Sequence, residues 1–142
     1  MRLNFRKTNE KAVLPSYGTG GSAGLDLYAC LPEPFELQPG QIHTFDTGVA
    51  MELPAGYEAQ IRSRSGLAFG PNVYAFHGTI DSDYRDEIKV QLENRGPKAV
   101  LIQPNHRIAQ MIIAPFQRVT PTFAFGELSS TDRKGGFGST GQ

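Results

Sequence analysis

Glycine and proline cut this chain into pieces too short for a helical bundle. Sixteen glycines and ten prolines fall within 142 residues, and many of the pieces between them alternate apolar with polar side chains. Successive strand side chains point to opposite sides, so alternation of period two marks a strand with one face in a core. The expectation is an all-β chain, and its length suits one domain around a single core. Strands are expected over residues 2–7, 23–29, 42–51 with a break at Gly48, 57–62, 73–76, 88–93, 99–102 and 107–115. The last is mostly apolar and reads as a strand buried on both faces, with Arg107 and Gln110 as polar exceptions. Residues 15–22 read as a loop without periodicity, and 73–93 as a hairpin with an acidic bend.

Charge and cysteine content narrow the function classes. Fourteen basic residues balance fourteen acidic ones, so no global positive field draws the chain to nucleic acid, and any phosphate site must be local. The single cysteine, Cys30, excludes an intrachain disulfide, and residues 1–11 lack the apolar run of a secretory signal. A cytoplasmic setting is expected. No window reaches the about 18 apolar residues of a membrane-spanning helix, so no membrane role is expected.

Polar groups gather beside the strands. In Ala23-Gly24-Leu25-Asp26-Leu27-Tyr28-Ala29, Leu25, Leu27 and Ala29 share one face and Asp26 the other. Asp26 is either a surface acid or a carboxylate facing a polar ligand or its metal. Ser63-Arg64-Ser65-Gly66-Leu67-Ala68 is either a solvated loop or an anion-binding turn, with guanidinium, hydroxyl and free N–H donors if Ser65 begins a helical turn. Gln110 either hydrogen-bonds to neighbouring backbone or faces a ligand. The segment 78–88 carries Asp81, Asp83 and Asp86 around Tyr84 and Arg85, as an ordinary acidic turn or as a site. From Ser129 the chain loses apolar content, yet it ends with Arg133, Lys134 and a Phe137 flanked by glycines, then Ser139 and Thr140. Those groups suit a clamp on a phosphorylated nucleotide, although a glycine-rich terminus taken alone is more often a linker.

Taken in order, AGLDLYA at 23–29, RSGLA at 64–68, GTIDSDYR at 78–85, RIAQMIIAP at 107–115 and GGFGSTG at 135–141 resemble the five ordered motifs of the trimeric dUTPases, over nearly the whole chain. The resemblance implies a jelly-roll-like distorted β-barrel or sandwich. It implies a homotrimer with shared active sites, a core over 1–128, and an arm over 129–142 that closes over a site. It implies hydrolysis of dUTP to dUMP and pyrophosphate with Mg²⁺, which limits dUTP and supplies dUMP for thymidylate synthesis. Residue by residue, Asp81 matches the general base for the attacking water and Tyr84 the aromatic that packs on the sugar. Gly78, Ile80 and their neighbours match the hairpin that reads uracil. Arg64, Ser65, Gly66 and Gln110 match phosphate contacts, and Asp26 a carboxylate that holds waters of the Mg²⁺. Arg133, Gly138, Ser139 and Thr140 match contacts of the arm, and Phe137 a ring stacked on uracil.

Four departures from the family pattern stand out. Ser63 replaces the usual proline, and Asn105-His106 replaces a glycine and an acid. Asp86 replaces a glycine, from which backbone strain is expected, and the spacing around Arg133 is short by one residue, so that Lys134 could take its place. Two rival readings remain. One is a dCTP deaminase-like enzyme, against which stands Gln91 in place of that branch's glutamate, with Glu93 two residues on. The other is a non-catalytic nucleotide-binding β module, which has no need of Asp81.

Overall fold

The computed structural model describes residues 1–133 and 135–136. As expected, the chain is all-β with a jelly-roll-like wrap, and among the described residues its one helix, α1 (Ser65–Ala68), is a single turn. The largest sheet has the order β2 (Ser16–Tyr17), β3 (Leu25–Tyr28), β12 (Arg107–Pro115), β7 (Tyr57–Arg62) and β9 (Gly78–Ile80). A second has the order β5 (Ile42–Asp46), β10 (Lys89–Asn94) and β8 (Val73–Ala75). Two further pairs join β1 (Asn4–Lys7) to β6 (Val49–Glu52) and β4 (Phe35–Leu37) to β11 (Val100–Ile102). Every pairing is antiparallel.

The alternation in the sequence explains which faces meet. Leu27, Ala59 and Ile61, Ala109 and Met111 come from the larger sheet, Ala29 from just past β3, and Phe45, Val90 and Leu92 from the smaller sheet. All are buried in one core. Removing a large aliphatic side chain of this kind from water contributes about 1.5–3 kcal/mol, so these inward positions commit each strand to its register. Between β5 and β6 the chain turns through Gly48 at φ +70°, where an added Cβ would lie 2.8 Å from the Ala12 Cβ.

The structure differs from the sequence expectation in three places. Residues 15–22 contain β2, which pairs Ser16 with Asp26 and Tyr17 with Leu25; two residues are too few to show a period. Strands β8 and β10 do form a hairpin, but its connection first pairs with β7 as β9 before returning. The acidic stretch therefore lies between two sheets, not at the tip of one. Strand β12 is not buried on both faces: Ile108, Ala109 and Met111 are buried, while Ile112, Ile113 and Ala114 are half-exposed. Apolar composition alone does not distinguish a surface covered within the chain from one left open. Beyond β12 every described residue is exposed, including Phe123, Phe125 and Leu128. Among the described residues no helix is long and apolar enough to cross a membrane.

Asn94 is the polar keystone of the core. It is 0% exposed. Its amide donates to Leu37 O at 2.9 Å and Lys98 O at 2.8 Å, and its Oδ1 accepts from Gly96 N at 2.9 Å. Buried polar groups left without partners cost about 1–3 kcal/mol each. Asn94→Ala is expected to lower unfolding stability by about 2–4 kcal/mol, measured by urea denaturation; a loss within about 0.5 kcal/mol would mean that water replaces these bonds.

Candidate active site

The register of β12 assembles one half of the site. Gln110 lies opposite Asp26 on β3 and opposite Arg62 on β7, and directly opposed residues of an antiparallel ladder share a face. The face is the one turned away from the core. Gly24 leaves room there, since a Cβ on it would lie 2.6 Å from Gln110 Oε1. Just past β7 the chain bends through Ser63 and Arg64 into α1, whose N-cap is Arg64. That bend brings the guanidinium back over β3.

Asp26 is 7% exposed, so it is not a surface acid. Arg64 Nε donates to its Oδ1 at 2.7 Å and Arg107 Nη1 approaches its Oδ2 at 3.4 Å. Arg64 Nη1 also donates to Arg107 O at 3.3 Å. Gln110 is half-buried and its Nε2 donates to Ser63 O at 2.9 Å. These groups line a cavity of about 350 Å³ together with Gly18, Thr19, Ser22, Ala23, Gly24 and Ser65. Asp26 is the one acid in that lining, and two arginines face it. The cavity therefore offers positive charge, hydroxyls and an amide, which is the chemistry of a phosphate site.

A second cavity, of about 260 Å³, lies beside β9 and is lined by Ile61, Gly78, Thr79, Ile80, Asp81, Tyr84, Ile88 and Lys89. Its walls are largely aliphatic and aromatic, with one carboxylate at the edge. Strand β9 is an edge strand of its sheet, so its outer N–H and C=O groups are free to pair with a ligand. The acidic loop that follows is tied down from within. Tyr84 N donates to Asp81 O at 3.1 Å, Tyr84 Oη to Glu87 O at 2.9 Å, and Arg85 Nη1 to Ser82 O at 2.7 Å. Glu87 Oε1 accepts from Gly48 N at 2.7 Å, and Ile88 N donates to Val49 O at 2.9 Å. Nearby, the Asp46 carboxylate hydrogen-bonds Lys89 at 2.6 Å and pushes its ammonium pKa up, so Lys89 is a cation at the cavity edge.

The sequence-derived candidates thus divide into two groups. Asp26, Arg64, Ser65 and Gln110 line one cavity; Gly78, Ile80, Asp81 and Tyr84 line the other, and the two cavities share no lining residue. Gly66 is exposed and lines neither. Arg133 is exposed, with its backbone N–H on Thr131 Oγ1 at 3.3 Å. Lys134, Phe137, Gly138, Ser139 and Thr140 lie outside the described residues. The strain expected at Asp86 is absent: among the described non-glycine residues, positive φ occurs at Asn72 (63°) and Asn105 (64°). The bonds of Tyr84 and Glu87 close the loop without a left-handed residue. Sequence reasoning did not assign Arg107, Thr19 or Ser22 to the site. An arginine three residues before Gln110 on an otherwise apolar strand was the available signal for the first.

Among the described residues there is no group of three or more His, Cys, Asp or Glu side chains that could hold a metal ion. One carboxylate beside hydroxyls and arginines fits a hydrated Mg²⁺ carried in by phosphates, because Mg²⁺ keeps several waters and takes phosphate oxygens as direct ligands.

The chain is similar to known proteins along nearly its whole length. A family model described as dUTPase matches residues 10–141. The deoxyuridine 5'-triphosphate nucleotidohydrolase of Hydrogenobaculum sp. (strain Y04AAS1) is 51% identical over 144 residues, covering 99% of each chain. That of Anaplasma marginale (strain St. Maries) is 53% identical over 130 residues, covering 90% of this chain and 88% of its own. Among solved structures, a dUTPase of staphylococcal phage 80alpha superposes with TM-score 0.87 at 23% identity over 98% of both chains.

Asp26 is buried and Arg64 partly so, so removing one partner leaves the other charge unmatched where water solvates it poorly. Asp26→Asn keeps the shape and removes the charge, and is expected to lower unfolding stability by about 1–3 kcal/mol; a urea titration that returns the wild-type midpoint would mean that the arginines find other partners.

Proposed function

The chain belongs to the dUTPase family, and from that premise we propose that it hydrolyses dUTP to dUMP and pyrophosphate, with the cationic cavity holding phosphates and the aliphatic cavity holding the nucleoside. The observation that carries the reading is this division of labour: Arg64 and Arg107 collect at one place, and Asp81 stands at the rim of an apolar slot at another. In the slot, the free edge of β9 around Gly78 and Ile80 supplies backbone donors and acceptors for the uracil edge. Tyr84 packs against the sugar, and because its hydroxyl is held by Glu87 O at 2.9 Å, the ring stays where a ribose 2′-hydroxyl would need room.

Asp81 acts as general base. It orients a water, takes its proton as the oxygen bonds to the α-phosphorus, and the α–β bridging oxygen leaves with the pyrophosphate. Arg64, Ser65 and Gln110, with the Gly66 N–H in the same turn, stabilise the charge that builds on the departing group, and Arg107 adds a second guanidinium. When bound to the triphosphate, Mg²⁺ supplies further neutralisation of that charge, and Asp26 is the side chain fitted to hold its waters. As the arginines turn to phosphate, Asp26 is released for that role. The product dUMP is a precursor for thymidylate synthesis, and its formation removes dUTP.

One feature supports a homotrimer. Past β12 the chain presents Val119, Phe123, Phe125 and Leu128 to solvent, a run of apolar side chains that another subunit would cover. The arm over 129–142 would then close on a neighbour's site, with Arg133 and Thr140, Ser139 and Gly138 on the phosphates and Phe137 on the base. The deaminase alternative has less support. Gln91 is exposed with its amide on Thr44 Oγ1 at 3.3 Å, and Glu93 is paired with Arg95 at 2.6 Å. Neither lines either of these two cavities.

Asp81→Asn is expected to lower kcat for pyrophosphate release from dUTP by about 10²–10⁴-fold, while the Kd of a non-hydrolysable dUTP analogue stays within about threefold. Retained turnover removes Asp81 from the base role. In the wild-type protein, release from dUTP far exceeding that from dCTP, dTTP or UTP is the result that supports the substrate assignment; ammonia from dCTP would favour deamination instead.

A further inference from the structure

Among the described residues, the hydrogen bonds of residues 81–86 all close within residues 81–87. Tyr84 N donates to Asp81 O, Arg85 Nη1 to Ser82 O and Tyr84 O, and Tyr84 Oη to Glu87 O. The acidic loop is braced against itself and not against the sheets. Its first bond to another element comes from Glu87, whose half-buried carboxylate accepts the Gly48 N–H at 2.7 Å. An ionised acceptor makes this about twice as strong as a neutral hydrogen bond. Gly48 is a fixed post. It has φ +70°, an added Cβ would lie 2.8 Å from Ala12 Cβ and 2.9 Å from Cys30 Sγ, and its carbonyl accepts Thr8 N at 2.8 Å. A backbone group enclosed in this way has little room to follow a moving partner.

We infer that Glu87 is a positioning residue for the sugar: its carboxylate, seated on Gly48, sets the attitude of the whole 81–87 loop and with it the place of the Tyr84 ring. This rests on the dUTP-hydrolysing reading above, in which Tyr84 packs against the deoxyribose. Glu87 acts without touching the substrate, since it lines neither cavity. A wall excludes a 2′-hydroxyl only as far as it resists being pushed back. Tyr84 is 39% exposed and packed on no buried surface that would hold it, so that resistance comes from Glu87. The uracil edge does not depend on the same tether. Strand β9 is held by its own ladder on β7, with Gly78 opposite Ile61 and Ile80 opposite Ala59, and Lys89 is held opposite Asp46 on β5. Loss of the carboxylate should therefore register in the choice between ribose and deoxyribose and leave the choice between uracil and cytosine alone.

The test compares full-length wild type with Glu87→Ala and with Glu87→Gln, whose amide oxygen can still accept the Gly48 N–H. It measures kcat/KM for dUTP, UTP and dCTP, and the hydrogen exchange of the backbone amides of residues 82–86. Glu87→Ala is expected to lower the dUTP-to-UTP ratio of kcat/KM by about tenfold, as the loss of one hydrogen bond to a charged group implies. Its dUTP-to-dCTP ratio should stay within about twofold, because β9 keeps its ladder. Its loop amides should exchange faster while those of Val90 and Leu92 keep the wild-type rate. Glu87→Gln should return both ratios to within about twofold of wild type and the exchange to the wild-type pattern. An unchanged dUTP-to-UTP ratio in the alanine variant overturns the inference, as does an equal fall of both ratios, unaltered loop exchange, or a glutamine variant that behaves as the alanine one. A wild-type protein that does not hydrolyse dUTP overturns the hydrolase reading itself, and this inference with it.

Discussion

Strand β12 is the constraint on which the rest of the molecule depends. It lies in the middle of the five-stranded sheet and is hydrogen-bonded on both sides, to β3 and to β7. A central strand cannot slip by one residue without turning its buried side chains outward, and Ile108, Ala109 and Met111 are all at or below 1% exposed. Locking those residues inward fixes Gln110 on the outer face, in line with Asp26 and Arg62. The hydrophobic core thereby sets the position of polar groups that it does not touch. The register shift between Arg107 and Ala109 sits next to the guanidinium that reaches Asp26, which is where a bulge re-aims a side chain.

The acidic loop is held by a different device. Its anchor is Glu87, whose carboxylate accepts the N–H of Gly48 and whose carbonyl accepts the Tyr84 hydroxyl. Thr47 Oγ1 donates to the carbonyl of Ile88 in the same place. The turn between β5 and β6 thus serves as a socket for the start of β10. Of the acids between 81 and 87, one is structural in this way. Asp83 and Asp86 are exposed, and Asp81 is left at the rim of the cavity beside β9.

Much of this was legible in the sequence, for physical reasons that particular elements show. Ile88, Val90 and Leu92 alternate with polar residues and are buried as alternation requires; Gly48 broke a strand and does have a positive φ. The sequence leaves Ser63-Arg64-Ser65-Gly66 open between a solvated loop and an anion-binding turn, and the structure puts Arg64 and Ser65, but not Gly66, in the lining of one cavity. What could not be read was pairing between distant segments. Nothing local to Gly78-Thr79-Ile80 says that it leaves its hairpin for β7, and nothing local to Asp26 says that two arginines will bury it. Asn105 and Asp86 show the same limit at single residues. Both replace a family glycine, yet Asn105 takes φ +64°, which asparagine tolerates, whereas Asp86 does not need a left-handed backbone.

The buried charge at Asp26 is best understood as a cost retained for a ligand. An ion pair with a 10% exposed carboxylate and a 22% exposed guanidinium gains little net stability over a well-packed apolar pair. Stability alone would not select it. Under the proposed function its value would appear when an anion arrives: Arg64, partly buried, and Arg107, half exposed, already line one cavity and face Asp26, so a phosphate would have only to displace a single carboxylate. On the same proposal the displaced carboxylate would lie beside the phosphates, free to hold waters around a divalent ion. Asp26 pairs with both arginines in the absence of ligand, and under the proposed function it would gain a second use afterwards, a combination that a carboxylate offers and a neutral amide or an apolar residue does not.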